Sequence, residues 1–228
     1  MALPAPINIL YLPTHFIVAG DAAATARNIT ADQLTYRLCI LAGLVSLVGF
    51  IWLALSLYNL FKDVDRMQAR LLVGLVLGGA AAGIANMINE TAPLVLLSGM
   101  GYLSAFTAPQ LDTLALAFLK IRGSGISLEM AFWALWLLPF GVLVMKSGFM
   151  PRLIGVLLIV GCFGYLAVSV TGILFPPHRA LVNRIAMPFY SVGELSVIAW
   201  FIIKGGTVPL PAVVRERVGR PGSSVPLS

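Results

Sequence analysis

Five stretches of about twenty mostly apolar residues dominate this chain, at 38–61, 71–97, 126–145, 153–175 and 185–203. That length is what a helix needs to cross roughly 30 Å of hydrocarbon. Lipid offers no hydrogen-bond partner to a peptide group, so a spanning segment must pair its own backbone, as a helix does. Only 11% of the residues are charged and 59% are hydrophobic, whereas a soluble domain carries about 25% charged residues. A water-soluble fold could not cover so much apolar surface. The expected fold class is therefore all-α: an integral membrane helical bundle. It has five clear transmembrane helices over a single domain, 1–206, in a cell membrane.

The formal net charge is +6. In a soluble protein this would raise nucleic acid as a partner, but here the basic residues flank the spans, so no nucleic acid is expected. Nine of the fifteen Lys and Arg residues, Lys62, Arg66, Lys146 and Arg152 among them, fall on one side of the implied topology. Six fall on the other, including Arg37, Lys120 and Arg122. This bias puts the C-terminus in the cytoplasm. Segment 207–228, rich in Pro, Gly, Ser and Val, reads as a flexible cytoplasmic tail.

Between the spans, three segments have a character of their own. Residues 7–18 are apolar but short, and Asn8, Pro13, Thr14 and His15 interrupt them. Such a stretch is interfacial, re-entrant or the remainder of a longer helix, and it lacks the positive start of a signal peptide. Asp21 is placed to cap a helix that follows it. Thr107-Ala108-Pro109-Gln110 reads as a capped helix start with proline in the first turn. The amphipathic segment it opens, 108–122, would lie on the membrane or on the bundle. Gly123-Ser124-Gly125 would then bend the chain into the third span.

Polar groups inside the spans are the candidates for function, because ionisable side chains at membrane depth are costly. Glu194 lies mid-span with Tyr190 and Ser191 on the same helix face, one turn earlier. Asn86, Asn89 and Glu90 form a second stripe, also at helical spacing. Each set is a candidate ligand site, and each also reads as a polar clasp between helices. Glu129 falls in the first turn of the third span, where the helix dipole favours a carboxylate, and so reads as structural.

Gly74, Gly78, Gly79 and Gly83 form two overlapping small-residue repeats, a pattern that lets helices approach closely. Gly155, Gly161, Gly164 and Gly172 in the fourth span have the same potential. Cys39 and Cys162 have no metal-ligand or disulfide spacing. No Gly-x-Ser-x-Gly and no His-Glu-x-x-His occurs. No metal, cofactor or catalytic residue is assigned.

Several segments together carry a resemblance. They include Gly20-Asp21-Ala22-Ala23-Ala24-Thr25-Ala26, Leu97-Ser98-Gly99, Lys146-Ser147-Gly148-Phe149-Met150-Pro151-Arg152 and Gly193-Glu194-Leu195. Across about 18–206, the chain resembles the bacterial domain-of-unknown-function family 4386. The resemblance implies a small multi-pass membrane protein of typically six helices, with both ends cytoplasmic, and brings no activity with it. The family's first helix would precede Gly20. On that reading, 7–18 is a degenerate first helix, or the start codon is placed too late and apolar codons lie upstream.

Three functions follow from these features. The first is a non-enzymatic bundle that binds a lipid, a small hydrophobic ligand or a membrane partner, a second copy of the chain included. The second is a small proton-coupled transporter centred on Glu194. The third is an intramembrane lipid-modifying enzyme, which would need a nucleophile or metal that the sequence does not place.

Overall fold

The computed structural model describes residues 7–204; the proposed tail lies outside them. A π-helical turn, Ile7–Tyr11, leads into α1, Leu12–Phe16, and then α2, Ala22–Ala31. The long helices are α3, Gln33–Phe61; α4, Arg66–Leu96; α5, Ala108–Leu135; α6, Leu137–Ser147; α7, Arg152–Leu174; and α8, Arg179–Lys204. Among the described residues, five helical stretches are long and apolar enough to cross a membrane, α5 and α6 together forming one of them.

Local chemistry accounts for four of the eight α-helix starts among the described residues. The Asp21 side chain accepts from the Ala24 amide at 2.8 Å, Asp32 from Thr35 at 3.1 Å and Asp65 from Gln68 at 3.1 Å. Each fills a first-turn donor that a helix cannot satisfy by itself. Because Asp32 is a cap, α3 begins at Gln33, ahead of its apolar run. The Thr107 amide donates to Gln110 Oε1 at 2.8 Å, one half of the capping box expected at the start of α5.

The connection into the third span differs from the sequence expectation. Residues 108–122 are not a separate amphipathic helix, and the chain does not bend at Gly123-Ser124-Gly125. One helix runs through all of them to Leu135. Glycine weakens an isolated helix by about 1 kcal/mol, but here tertiary contacts decide. A Cβ on Gly125 would overlap the Asn86 side chain, so that glycine admits a neighbour rather than a bend. The helix breaks instead at Trp136. Pro139 lies just beyond and cannot donate to the carbonyl of Leu135, which interrupts the ladder.

The helices pack in a chain of neighbours. α3 lies on α4, α4 on α5 and α6, α7 on α5 and α6, and α8 on α7. The main core joins Phe61, Leu72, Val76, Leu137, Leu143 and Leu158, with aromatic contacts such as Phe61 with Phe140. A second core, of Leu12, Phe16, Ile29, Tyr36, Cys39 and Leu119, ties α1 and α2 to the start of α3 and the first half of α5.

The two cores fit the bilayer. α5 and α6 together span 40 residues, about 60 Å, twice the hydrocarbon thickness. The first half of α5, packed against α2, therefore belongs to a cap at one end of the bundle. Large apolar side chains cover the outer surface: Trp52 is 68% exposed and Ile202 79%. A soluble protein rarely leaves so much contiguous apolar surface bare, and lipid solvates it without cost. The chain is a multi-pass membrane protein.

Candidate functional site

Glu194 lies about halfway along the apolar part of α8. The Tyr165 hydroxyl of α7 donates to its Oε1 at 3.2 Å. Tyr165 stacks on Tyr190, ring centroids 4.0 Å apart, and the Tyr190 hydroxyl donates to Asn183 at 3.0 Å. Glycines make this contact reachable. A Cβ on Gly161 would lie 3.1 Å from the Tyr190 Cα, and one on Gly193 would lie 2.9 Å from the Leu157 carbonyl. Without side chains there, the backbones of α7 and α8 approach closely enough for Tyr165 to meet the carboxyl. Ser191 is partly buried one turn before Glu194, whose hydrogen bond comes from Tyr165.

Beside Glu194, a cleft of about 530 Å³ opens between α3 and α8. Phe50, Leu57, Trp136, Phe140 and Val197 wall it, and among the described residues Glu194 is its one charged lining residue. Such a volume is in the usual range for small-molecule sites, roughly 300–1,000 Å³.

A second polar group is built around Arg122 of α5, at the cap end of the bundle. Its Nε donates to Glu90 of α4, whose residue is 0% exposed. Arg122 Nη2 donates to Asn8 Oδ1 at 3.0 Å, and Asn8 Nδ2 donates to Glu90 Oε2 at 3.1 Å and to the Cys39 carbonyl at 3.2 Å. The Tyr36 hydroxyl donates to the Glu90 carbonyl at 2.9 Å. Asn86 Nδ2 donates to Glu129 Oε1 at 2.6 Å and to the Arg122 carbonyl at 3.0 Å, while Asn89 donates to Asn86 at 3.0 Å. The short interrupted segment 7–18 is thus seated against α3, with Asn8 as its polar anchor.

Sequence spacing linked Asn86, Asn89 and Glu90 but missed Arg122, Asn8 and Tyr36. By sequence, Arg122 ends an amphipathic segment lying on the membrane or on the bundle, and Asn8 is only an interruption of a short apolar stretch. Glu129 is corrected: it lies well inside α5, away from the helix start, and the Asn86 amide rather than a helix dipole meets it. One signal was available. A carboxylate at membrane depth needs a partner, a wet cavity or a proton, and an unbroken α5 carries Arg122 inward on the face that holds Glu129.

The two polar groups are separate. Glu194 bonds to Tyr165, and the Asn86–Glu90 stripe bonds to Arg122, Glu129 and Asn8. Phe50 lies between them, lining both the Glu194 cleft and a smaller cavity beside Glu129.

The repeat glycines of α4 divide as well. Gly78 and Gly79 face Phe132, and Gly83 faces Leu47. Gly74 does not act in packing within this chain, since nothing lies within 4 Å of a Cβ placed there. The tightest backbone approach is between Gly141 of α6 and Gly155 of α7. Cys39 and Cys162 are free, buried thiols.

Neither a curated protein nor a solved structure matches the chain. A family model does, that of a domain of unknown function, DUF4386, over residues 2–205. This covers nearly the whole sequence and agrees with the resemblance read from its segments, and the chain belongs to that family as a multi-pass membrane protein.

Proposed function

We propose that this protein is a non-catalytic membrane bundle that binds one neutral lipophile in the cleft between α3 and α8. The ligand's polar end group hydrogen-bonds to Glu194. A single observation carries this reading: an apolar cleft of about 530 Å³ contains one carboxyl, already oriented by Tyr165. Apolar walls with few convergent polar groups are the usual makeup of a small-molecule site. The depth of Glu194 selects the ligand class. A phospholipid's charged head group stays at the membrane surface, whereas a single hydroxyl or carbonyl can enter the hydrocarbon once it is hydrogen-bonded there.

The orientation belongs to the same proposal. The Lys62, Arg66, Lys146, Arg152 and Lys204 end faces the cytoplasm. Arg122 lies inside the bundle, so it drops out of the opposing loop charges and strengthens that bias.

Native mass spectrometry of the protein with added long-chain alcohol tests the reading. A bound adduct is expected in the wild type, weakened in Glu194→Gln and lost in Leu57→Trp, which fills the cleft. The same adducts in all three proteins, or none in the wild type, would overturn it. A pH-dependent flux through vesicles that Glu194→Gln abolishes would instead identify a proton-coupled carrier.

A further inference from the structure

Arg122, Glu129 and Trp133 form one stripe along α5 at helical spacing. With Asn8 and Ser46, they line a cavity of about 80 Å³. Two donors on this stripe, Arg122 Nη1 and Trp133 Nε1, are buried with no hydrogen-bond partner among the described residues. Such orphans are rare in folded proteins, and ordered water is a usual partner for them. Acceptors are also present. Glu129 Oε1 takes the Asn86 amide, which leaves Oε2 available, and Ser46 Oγ can accept as well as donate.

The occupant must accept from the two donors and donate to a carboxylate. An anion would meet the carboxylates of Glu129 and Glu90. A metal cation would meet the Arg122 guanidinium, and no group of three metal-ligating side chains occurs among the described residues. Water fits both demands: the walls are largely apolar, with Leu47, Phe50 and Met87 among them, but the polar groups converge on one side, and a cavity of this size holds about two or three molecules at roughly 30 Å³ each.

We propose that this cavity is a water site whose molecules bridge Arg122 and Trp133 to Glu129, and that it opens Glu129 to proton exchange with the aqueous phase. Arg122 is committed to Glu90 and Asn8, so Glu129 has the Asn86 amide as its direct partner. The charged and polar groups around it are Asn8 from the first turn, Ser46 from α3, Asn86 and Glu90 from α4, and Arg122 from its own helix. Its residues are not those of the Glu194 cleft, with which it shares Phe50 alone as a wall.

The test is water-edited NMR of the full chain in lipid nanodiscs, with ¹⁵N-labelled tryptophan. The four indole signals are distinguished by Trp→Phe variants. Trp136, buried against the apolar cleft, serves as the dry reference. Magnetisation is expected to pass from water to the Trp133 indole, at least severalfold more than to Trp136. The Trp133 signal should shift with pH in the wild type and stay constant in Glu129→Gln. Ser46→Val, which fills the cavity wall with methyl groups, should remove the transfer. Equal transfer to Trp133 and Trp136 would overturn the water site. A pH shift that persists in Glu129→Gln would overturn the exchange role.

Discussion

Arg122 and Glu90 are 32 residues apart, yet the guanidinium of one bonds to the carboxylate of the other inside the bundle. Removing one member of a buried pair leaves an uncompensated charge, which costs about 3–5 kcal/mol. Arg122→Ala should therefore destabilise the protein by that amount in a denaturant titration in detergent. Arg122→Met combined with Glu90→Leu should recover most of the loss. A double variant no more stable than the single would mean that the pair is not what holds α4 to α5.

Gly123 and Gly125 are two residues apart and should respond in opposite senses. Nothing lies within 4 Å of a Cβ on Gly123, whereas one on Gly125 would overlap Asn86. Asn86 cannot easily yield, because it is bonded to Glu129, Asn89 and the Arg122 carbonyl. Gly125→Ala should cost about 1–3 kcal/mol, as overpacking does. Gly123→Ala should be neutral or stabilise by up to about 1 kcal/mol. Thermal unfolding of both variants checks this, and equal destabilisation would point to the flexible bend that the sequence suggested.

A similar contrast separates Gly193 from Gly74. A Cβ on Gly193 would press on the Leu157 carbonyl, a backbone atom, and one on Gly74 meets nothing. Gly193→Ala should separate α7 from α8 and weaken the Tyr165–Glu194 contact. Gly74→Ala should leave stability unchanged or slightly higher. Melting temperatures in one detergent, read side by side, decide the matter.

Asp65 links two turns at the end of the bundle away from the cap. Lys146 donates to its Oδ2 at 2.7 Å, and this bond, helped by the Gln68 amide, holds the carboxyl below its ordinary value of 3.8. A carboxyl with a lowered folded-state pKa stabilises the fold above its unfolded value and loses that effect as pH falls through the folded one. The wild type should therefore exceed Asp65→Asn in melting temperature at neutral pH, and the difference should shrink as pH drops below about 4. A difference that stays constant from neutral to acid would show that the charge is not the cause.

Tyr165→Phe isolates the hydrogen bond to Glu194 while keeping the ring stack on Tyr190. Loss of one such bond costs about 1 kcal/mol. The fold should survive, and lipophile retention should fall less than in Leu57→Trp, because the cleft keeps its volume. If Tyr165→Phe abolishes binding as fully as Leu57→Trp, the hydroxyl itself touches the ligand.

What the sequence determined by itself was the solvent and the helices. Runs of apolar residues require lipid, and the caps at Asp21 and Thr107 depend on residues within one turn, so neighbours in the chain suffice to reveal them. The helices begin ahead of their apolar runs: Asp32 caps α3 earlier, α8 starts at Arg179, and α5 starts at Ala108, far before the apolar run at 126. Only the tertiary structure decided the partners. Glu194 could be singled out by its depth, but Tyr165 could be found only once glycines had let α7 and α8 approach. Arg122 reads as a charge at the end of a surface helix until α5 proves continuous, and it reaches Asn8 across 114 residues of chain. Local pattern carries hydrophobicity and capping. The pairing of buried polar groups depends on which helix faces meet, and packing settles that.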